Sequence, residues 1–145
     1  MEIERKFFVS ELPKLDSLKM DEIIQGYLSI NPEVRVRKKG DFYYHTEKSE
    51  GAMIREETEY EITKEEFYDS FSKCENRVIE KVRYYIPYEN HLIELDIYKG
   101  KHKGLVVAEV EFESEGDAKA FCPPKWFGKE ITHDISFRNK ILACT

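Results

Sequence analysis

Met1-Glu2-Ile3-Glu4-Arg5-Lys6 opens the chain, and its reading decides the fold. On an extended strand successive side chains point to opposite faces, so Glu2, Glu4 and Lys6 share one face. Two carboxylates and an ammonium in line are costly to bury without partners. A ligand that satisfies all three carries both a hard cation and anionic oxygen. A metal–phosphate fits, because carboxylates suit Mg²⁺ and lysine suits phosphate. On six residues alone, a solvated edge strand of mixed charge is the simpler reading. What separates the two is whether the pattern recurs.

It recurs down the chain. After the first strand (about Met1–Val9), Ser10-Glu11-Leu12-Pro13 breaks the alternation, and Leu15 and Leu18 predict a short turn of helix. Asp21–Ile30 reads as a strand, Asn31-Pro32-Glu33 as a turn, and Val34–Lys39 alternates Val34, Val36 and Lys38 against Arg35, Arg37 and Lys39. Gly40-Asp41 turns into Phe42–Ser49, which carries Tyr44, Thr46 and Lys48 on one face. Arg55–Ile62 sets Glu57, Glu59 and Glu61 together. Thr63-Lys64-Glu65-Glu66 is a capping box that opens a helix with Phe67 and Phe71 on one side. Strands follow at Asn76–Pro87 (Lys81, Arg83), His91–Tyr98 (Glu94, Asp96) and Leu105–Phe112 (Glu109, Glu111). Ser114–Phe121 and Asp134–Ala143 read as helices. The count is roughly eight strands and three or four short helices.

Ordinary half-buried strands turn small neutral polar residues to water. Here the polar face of nearly every strand is charged, and the opposite faces (Val34, Val36, Val82, Ile86, Leu95, Ile97, Val110, Phe112) form a core. Strands curled into a barrel or tunnel lined by charge, with helices packed outside, satisfy both faces. An open antiparallel sheet with one wet, salt-laced face is the alternative that the pattern leaves standing.

The length bounds the answer to one domain, 1–145, long enough for a substantial core. A net charge of −6 disfavours nucleic acid as partner. No apolar run reaches membrane-spanning length, and the N-terminus has charges where a signal peptide needs its apolar stretch. Three cysteines without metal-ligand spacing predict reduced thiols and a cytoplasmic protein. Neither a membrane nor a nucleic-acid partner is expected, and a monomer or homodimer fits the size.

Glu2-Ile3-Glu4-Arg5-Lys6 has the Glu-x-Glu-x-Lys form that marks the CYTH superfamily, the triphosphate tunnel metalloenzymes. Gln25-Gly26-Tyr27-Leu28, Arg35-Val36-Arg37, Thr46-Glu47-Lys48, Glu59-Tyr60-Glu61, Lys81-Val82-Arg83, Glu94-Leu95-Asp96 and Glu109-Val110-Glu111 resemble its later motifs, in order. Glu130-Ile131-Thr132 with Phe137-Arg138-Asn139 and Leu142 resembles the short strand and closing helix of small bacterial members. The first motif alone is weak, but eight in order are specific, and the resemblance covers essentially the whole chain. A short loop before the arginines makes this chain a compact example.

The resemblance implies an α+β, mainly β fold: an eight-stranded antiparallel closed barrel with short helices outside and a C-terminal closing helix. It implies that Glu2, Glu4, Glu109 and Glu111 hold Mg²⁺ or Mn²⁺. Lys6, Arg35, Arg37, Lys48, Lys81 and Arg83 would bracket phosphate oxygens. Tyr27 with Lys81 occupy the positions of a catalytic Tyr–Lys pair. Water would be activated by metal or by an acid among Glu57, Glu59 and Glu61; Glu59 and Glu61, with Glu94 and Asp96, could equally balance the arginines. The implied activity is hydrolysis of a small anionic triphosphate, foremost inorganic tripolyphosphate to pyrophosphate and phosphate. Nucleoside or thiamine triphosphates are alternative substrates. A class IV-type adenylyl cyclase and a non-catalytic polyphosphate- or nucleotide-binding module are the other classes. Cyclases of this kind tend to be longer, and a pure binder needs no metal acids.

Overall fold

The alternation closes on itself. The computed structural model describes residues 1–145, with ten strands in one antiparallel sheet. They are β1 (Glu2–Val9), β2 (Met20–Ser29), β3 (Glu33–Lys39), β4 (Phe42–Lys48), β5 (Ile54–Arg55), β6 (Glu57–Glu61), β7 (Val78–Tyr88), β8 (His91–Tyr98), β9 (Val106–Phe112) and β10 (Phe127–Glu130). Around the ring the order is β1, β9, β8, β7, β2, β3, β4, β6. β5 then returns to β1, with Glu2 opposite Arg55, and completes the circle. The ring therefore has eight positions, as the sequence predicts. The strand predicted over Arg55–Ile62 fills one of them in two pieces, β5 and β6, on either side of Glu56. β10 pairs with the far end of the same edge of β1, at Phe7 and Val9.

The outward faces make two apolar layers. On one side Ile3, Phe7, Ile93, Leu95, Ala108, Val110 and Phe112 lie under α2 (Glu115–Ala120), Phe121 and Phe127. On the other, α1 (Lys64–Phe71) seats Phe67 against Val36 and Cys74. Both Thr63 and Glu66 make the reciprocal bonds of the capping box. Gly26 is required where β2 passes Cys74: a Cβ there would stand 2.7 Å from the Cys74 sulfur.

Inside the ring, one end is plugged. Tyr27, Ile79, Tyr98 and Val107 pack against Ile131, Leu142 and Ala143 from the C-terminal segment. The helix predicted over Asp134–Ala143 is broken. Asp134 caps a single 3-10 turn (Ile135–Phe137), Arg138 is extended, and α3 (Asn139–Leu142) is one turn long. Asp134 bonds the Ser136 amide locally, a conformation that competes with a continuous helix. The helical turn predicted at Leu15 and Leu18 is likewise reduced to one bond between them, because Ser17 takes a positive φ of 64°. Glu33, predicted in a turn, begins β3 and faces inward. No helix is long and apolar enough to cross a membrane.

Candidate active site

The unplugged part of the ring is a cavity of about 220 Å³, and only three of its 22 lining residues are hydrophobic. Its charges are sorted by strand. β3 supplies Arg35, Arg37 and Lys39, β4 supplies Lys48, and β7 supplies Lys81 and Arg83. Across the lumen β6, β1, β9 and β8 supply Glu57, Glu59, Glu2, Glu4, Glu109, Glu111 and Glu94. Because these strands are consecutive round the ring, one wall is basic and the other acidic. Lys6, set among acids 4.0 Å from Glu109, breaks the sorting, as do Glu33 on β3 and Arg55 on β5. The period of two, applied to strands that close a circle, is what points all these side chains at one another.

The basic wall is held from below. Asp96, buried beneath it, accepts from Lys81 at 2.8 Å and from Arg83 at 2.8 and 3.0 Å. Burial would raise the Asp96 carboxyl, but Arg83 and Lys81 overcome it and hold it at about 2. Burial pulls the Lys81 ammonium down to about 7, against Asp96, which favours its charge. Burial, then Arg35 and Arg83, pull Arg37 down to about 10. The Nε atoms of Arg35 and Arg37 are buried without a hydrogen-bond partner. Buried donors left unpaired are costly, and two on one wall mark a place for anionic oxygen.

The acidic wall stands in pairs. Glu4 meets Glu109, and burial together with the Glu109 carboxyl holds Glu4 well above the usual carboxylate range. Glu109 goes the other way: the Glu4 hydrogen bond, Lys6 and Arg83 outweigh burial and lower it. Glu57 meets Glu2 and rises to about 7 through burial and that hydrogen bond. Glu2 itself is lowered, because Lys48 at 2.9 Å outweighs its burial. Carboxyl groups pressed together share a proton where a cation could stand. No three acids are already drawn together in coordinating geometry. The hard-oxygen donor set nonetheless fits a divalent ion: Glu2, Glu4, Glu109 and Glu111 all face the same space.

The six predicted phosphate-binding cations and four predicted metal acids therefore line one cavity. The remaining predictions fare differently. Glu59 reaches the lumen, accepts from Thr46 at 2.6 Å and lies 3.4 Å from Arg37. Glu61 does not: it stands exposed at the end of β6, opposite Tyr44, outside the lining. Tyr27 and Lys81 both line the cavity, yet no hydrogen bond joins them. The Tyr27 hydroxyl accepts from Gln25 Nε2 at 2.9 Å, and Lys81 is committed to Asp96. Register explains the separation. Lys81 is opposite Ile23, four residues up β2 from Tyr27, or about 13 Å along the strand.

Sequence reasoning missed Glu33, Arg55 and Arg138 in the lining. Arg55 on β5 and Glu33 on β3 form a buried ion pair. The odd-numbered alternation of Glu57 and Glu59 extends back to Arg55 and could have found it. For Arg138, outside any strand, alternation gives no signal.

No family model matches the chain. It is 42% identical over 147 residues to an inorganic triphosphatase of Nitrosomonas europaea, covering 98% of this chain and 96% of that protein. An inorganic triphosphatase of Acetivibrio thermocellus is 38% identical over 98% of this chain and 92% of its own. The crystal structure of an inorganic triphosphatase superposes with a TM-score of 0.76 at 40% identity, over all of this chain and 95% of that one. With the eight motifs standing in order around one charged tunnel, the chain belongs to the CYTH superfamily of triphosphate tunnel enzymes, in the family of the inorganic triphosphatases.

Proposed function

We propose that the protein hydrolyses inorganic tripolyphosphate to pyrophosphate and phosphate, with Mg²⁺ or Mn²⁺ held by Glu2, Glu4, Glu109 and Glu111. The observation that carries this reading is the basic wall facing an acidic wall in one plugged cavity. Arg35 and Arg37, both lining the cavity, offer guanidinium donors for phosphate oxygens. Lys48, Arg83 and Lys6 add charge around the chain. In phosphoryl transfer, positioning and charge neutralisation supply most of the rate. A divalent ion, when bound, supplies Lewis acidity toward the phosphoryl oxygens. Lys81, brought to about 7, is suited to give a proton to the departing pyrophosphate. Glu57 and Glu59 line the cavity and can accept the proton of the attacking water. Tyr27 acts on the floor beside Arg35, not through Lys81.

Three unpaired cysteines support a reducing, cytoplasmic setting. The test is a panel of tripolyphosphate, ATP, GTP and thiamine triphosphate with each metal, scoring phosphate, pyrophosphate and cyclic nucleotide. Tripolyphosphate should turn over fastest. Cyclic AMP as the main product from ATP would sink the proposal.

A further inference from the structure

The plug is anchored to the ring and its loops at several points. His102 Nε2 lies 2.6 Å from the Leu142 carbonyl, Lys101 donates to the Ala143 carbonyl at 2.6 Å, and Tyr98 bonds Asn139. Lys140, buried, reaches Asn31 Oδ1 at 3.2 Å and Glu50 at 3.5 Å. Arg138 is different. Its extended backbone directs the side chain toward the cavity, where it joins the lining. Its guanidinium has a backbone carbonyl, that of Gly51, and a single carboxylate, Glu50, 3.8 Å away and largely in solvent. The neighbouring carbonyl of Phe137 accepts from the Lys6 ammonium at 3.0 Å. The C-terminal segment thus brings one weakly neutralised cation into the cavity and aims another.

We propose that Arg138 binds the terminal phosphate of the substrate at the plugged end of the tunnel, so that the C-terminal segment is part of the binding site. This rests on the triphosphatase reading above. A guanidinium offers a planar fork of donors suited to a terminal phosphate. A weakly paired arginine has little to give up when phosphate arrives, unlike Arg83, which is already committed to Asp96. Occupancy of the tunnel should in turn fasten the segment, because ligand binding stabilises whatever contacts it.

The experiment compares wild type, Arg138→Gln and Arg138→Lys in tripolyphosphate kinetics and in amide exchange with and without substrate. Arg138→Gln should raise KM about tenfold or more, with a smaller change in kcat. Arg138→Lys, which keeps the charge but not the fork, should lose only about threefold. In wild type, tripolyphosphate should slow exchange over residues 133–145, and in Arg138→Gln it should not. An unchanged KM in folded Arg138→Gln overturns the inference. So does an Arg138→Lys as weak as Arg138→Gln whose tail exchanges faster without ligand, since Arg138 then only holds the plug. If Arg138→Gln does not fold, wild type decides: no ligand protection at 133–145 overturns it. A wild type that does not cleave tripolyphosphate overturns the functional reading too; one that cleaves while Arg138→Gln keeps its KM overturns this inference alone.

Discussion

The Lys81 ammonium lies 2.8 Å from Asp96 Oδ2, with both groups almost wholly removed from water. Arg83 shares the same carboxylate, so one buried anion fixes two cations of the basic wall. Removing it strips Lys81 of its ion pair and leaves Arg83 only Glu94, 3.3 Å away, which is far worse than never having built the pair.

Asp96→Asn should therefore lose about 3 kcal/mol of stability near neutral pH. The sign with pH follows from the lowered carboxyl. Folded at about 2 against 3.8 when free, Asp96 contributes fully above pH ~4 and loses that contribution as pH falls through about 2. Urea unfolding from pH 7 downward should show wild type converging on Asp96→Asn at the acid end. Parallel curves would mean that Asp96 is not the anchor.

Glu4→Gln keeps shape and hydrogen bonding toward Glu109 but removes a charge of the proposed metal cage. Without metal its melting temperature should stay within about 2 °C of wild type, since burial and the neighbouring Glu109 carboxyl already disfavour the Glu4 charge. The rise in melting temperature on adding Mg²⁺ should shrink, and lost activity should return in part at high metal. A variant with the full metal response would remove Glu4 from the cage.

Arg5 points out of the tunnel, clasping Glu130 at 2.7 and 2.8 Å and the Ala118 carbonyl at 2.7 Å. Arg5→Ala should cost about 1–3 kcal/mol of stability and leave kcat/KM within about twofold of wild type, because nothing in the lumen changes. Thermal melting and steady-state kinetics on one preparation separate the two. A large kinetic defect in folded protein would invert the face assignment of β1.

Gly26→Ala pushes a methyl into the Cys74 side chain, with contacts of 2.7 and 2.9 Å. Overpacking of this kind should cost about 1–3 kcal/mol. Cys74→Ala, by removing the sulfur, should restore part of that loss in the double variant, measured as a coupling between the two.

Much of the molecule was legible because a strand's period of two is rigid. Once Glu2 and Glu4 face inward, Lys6 must, and the same logic orders every strand of the ring. The site was legible for the same reason, as its cations and acids are nearly all strand residues. What escaped was whatever depends on non-periodic backbone. Glu33 sits just after a proline turn, so its place at the head of β3 was hidden. Glu61 obeys the alternation but lies where β6 leaves the ring, which parity alone does not reveal. Tyr27 and Lys81 share the lumen, yet their offset is set by the pairing register, a property of two strands that neither sequence states. Arg138 depends on a broken helix, whose local capping by Asp134 wins over helical continuity.

The sorting of charge by strand has one more consequence. With the tunnel free of ligand, the two walls serve as each other's counter-ions, as Lys48 does for Glu2 and Arg37 for Glu59. A triphosphate arriving alone draws the cations away and leaves the acids facing one another; a divalent cation arriving alone does the reverse. Each visitor relieves the imbalance that the other creates, so the tunnel behaves as an ion exchanger with two coupled beds. On the function proposed above, metal and triphosphate should then raise each other's affinity by the same factor, so that they bind as a joint load more tightly than either one singly.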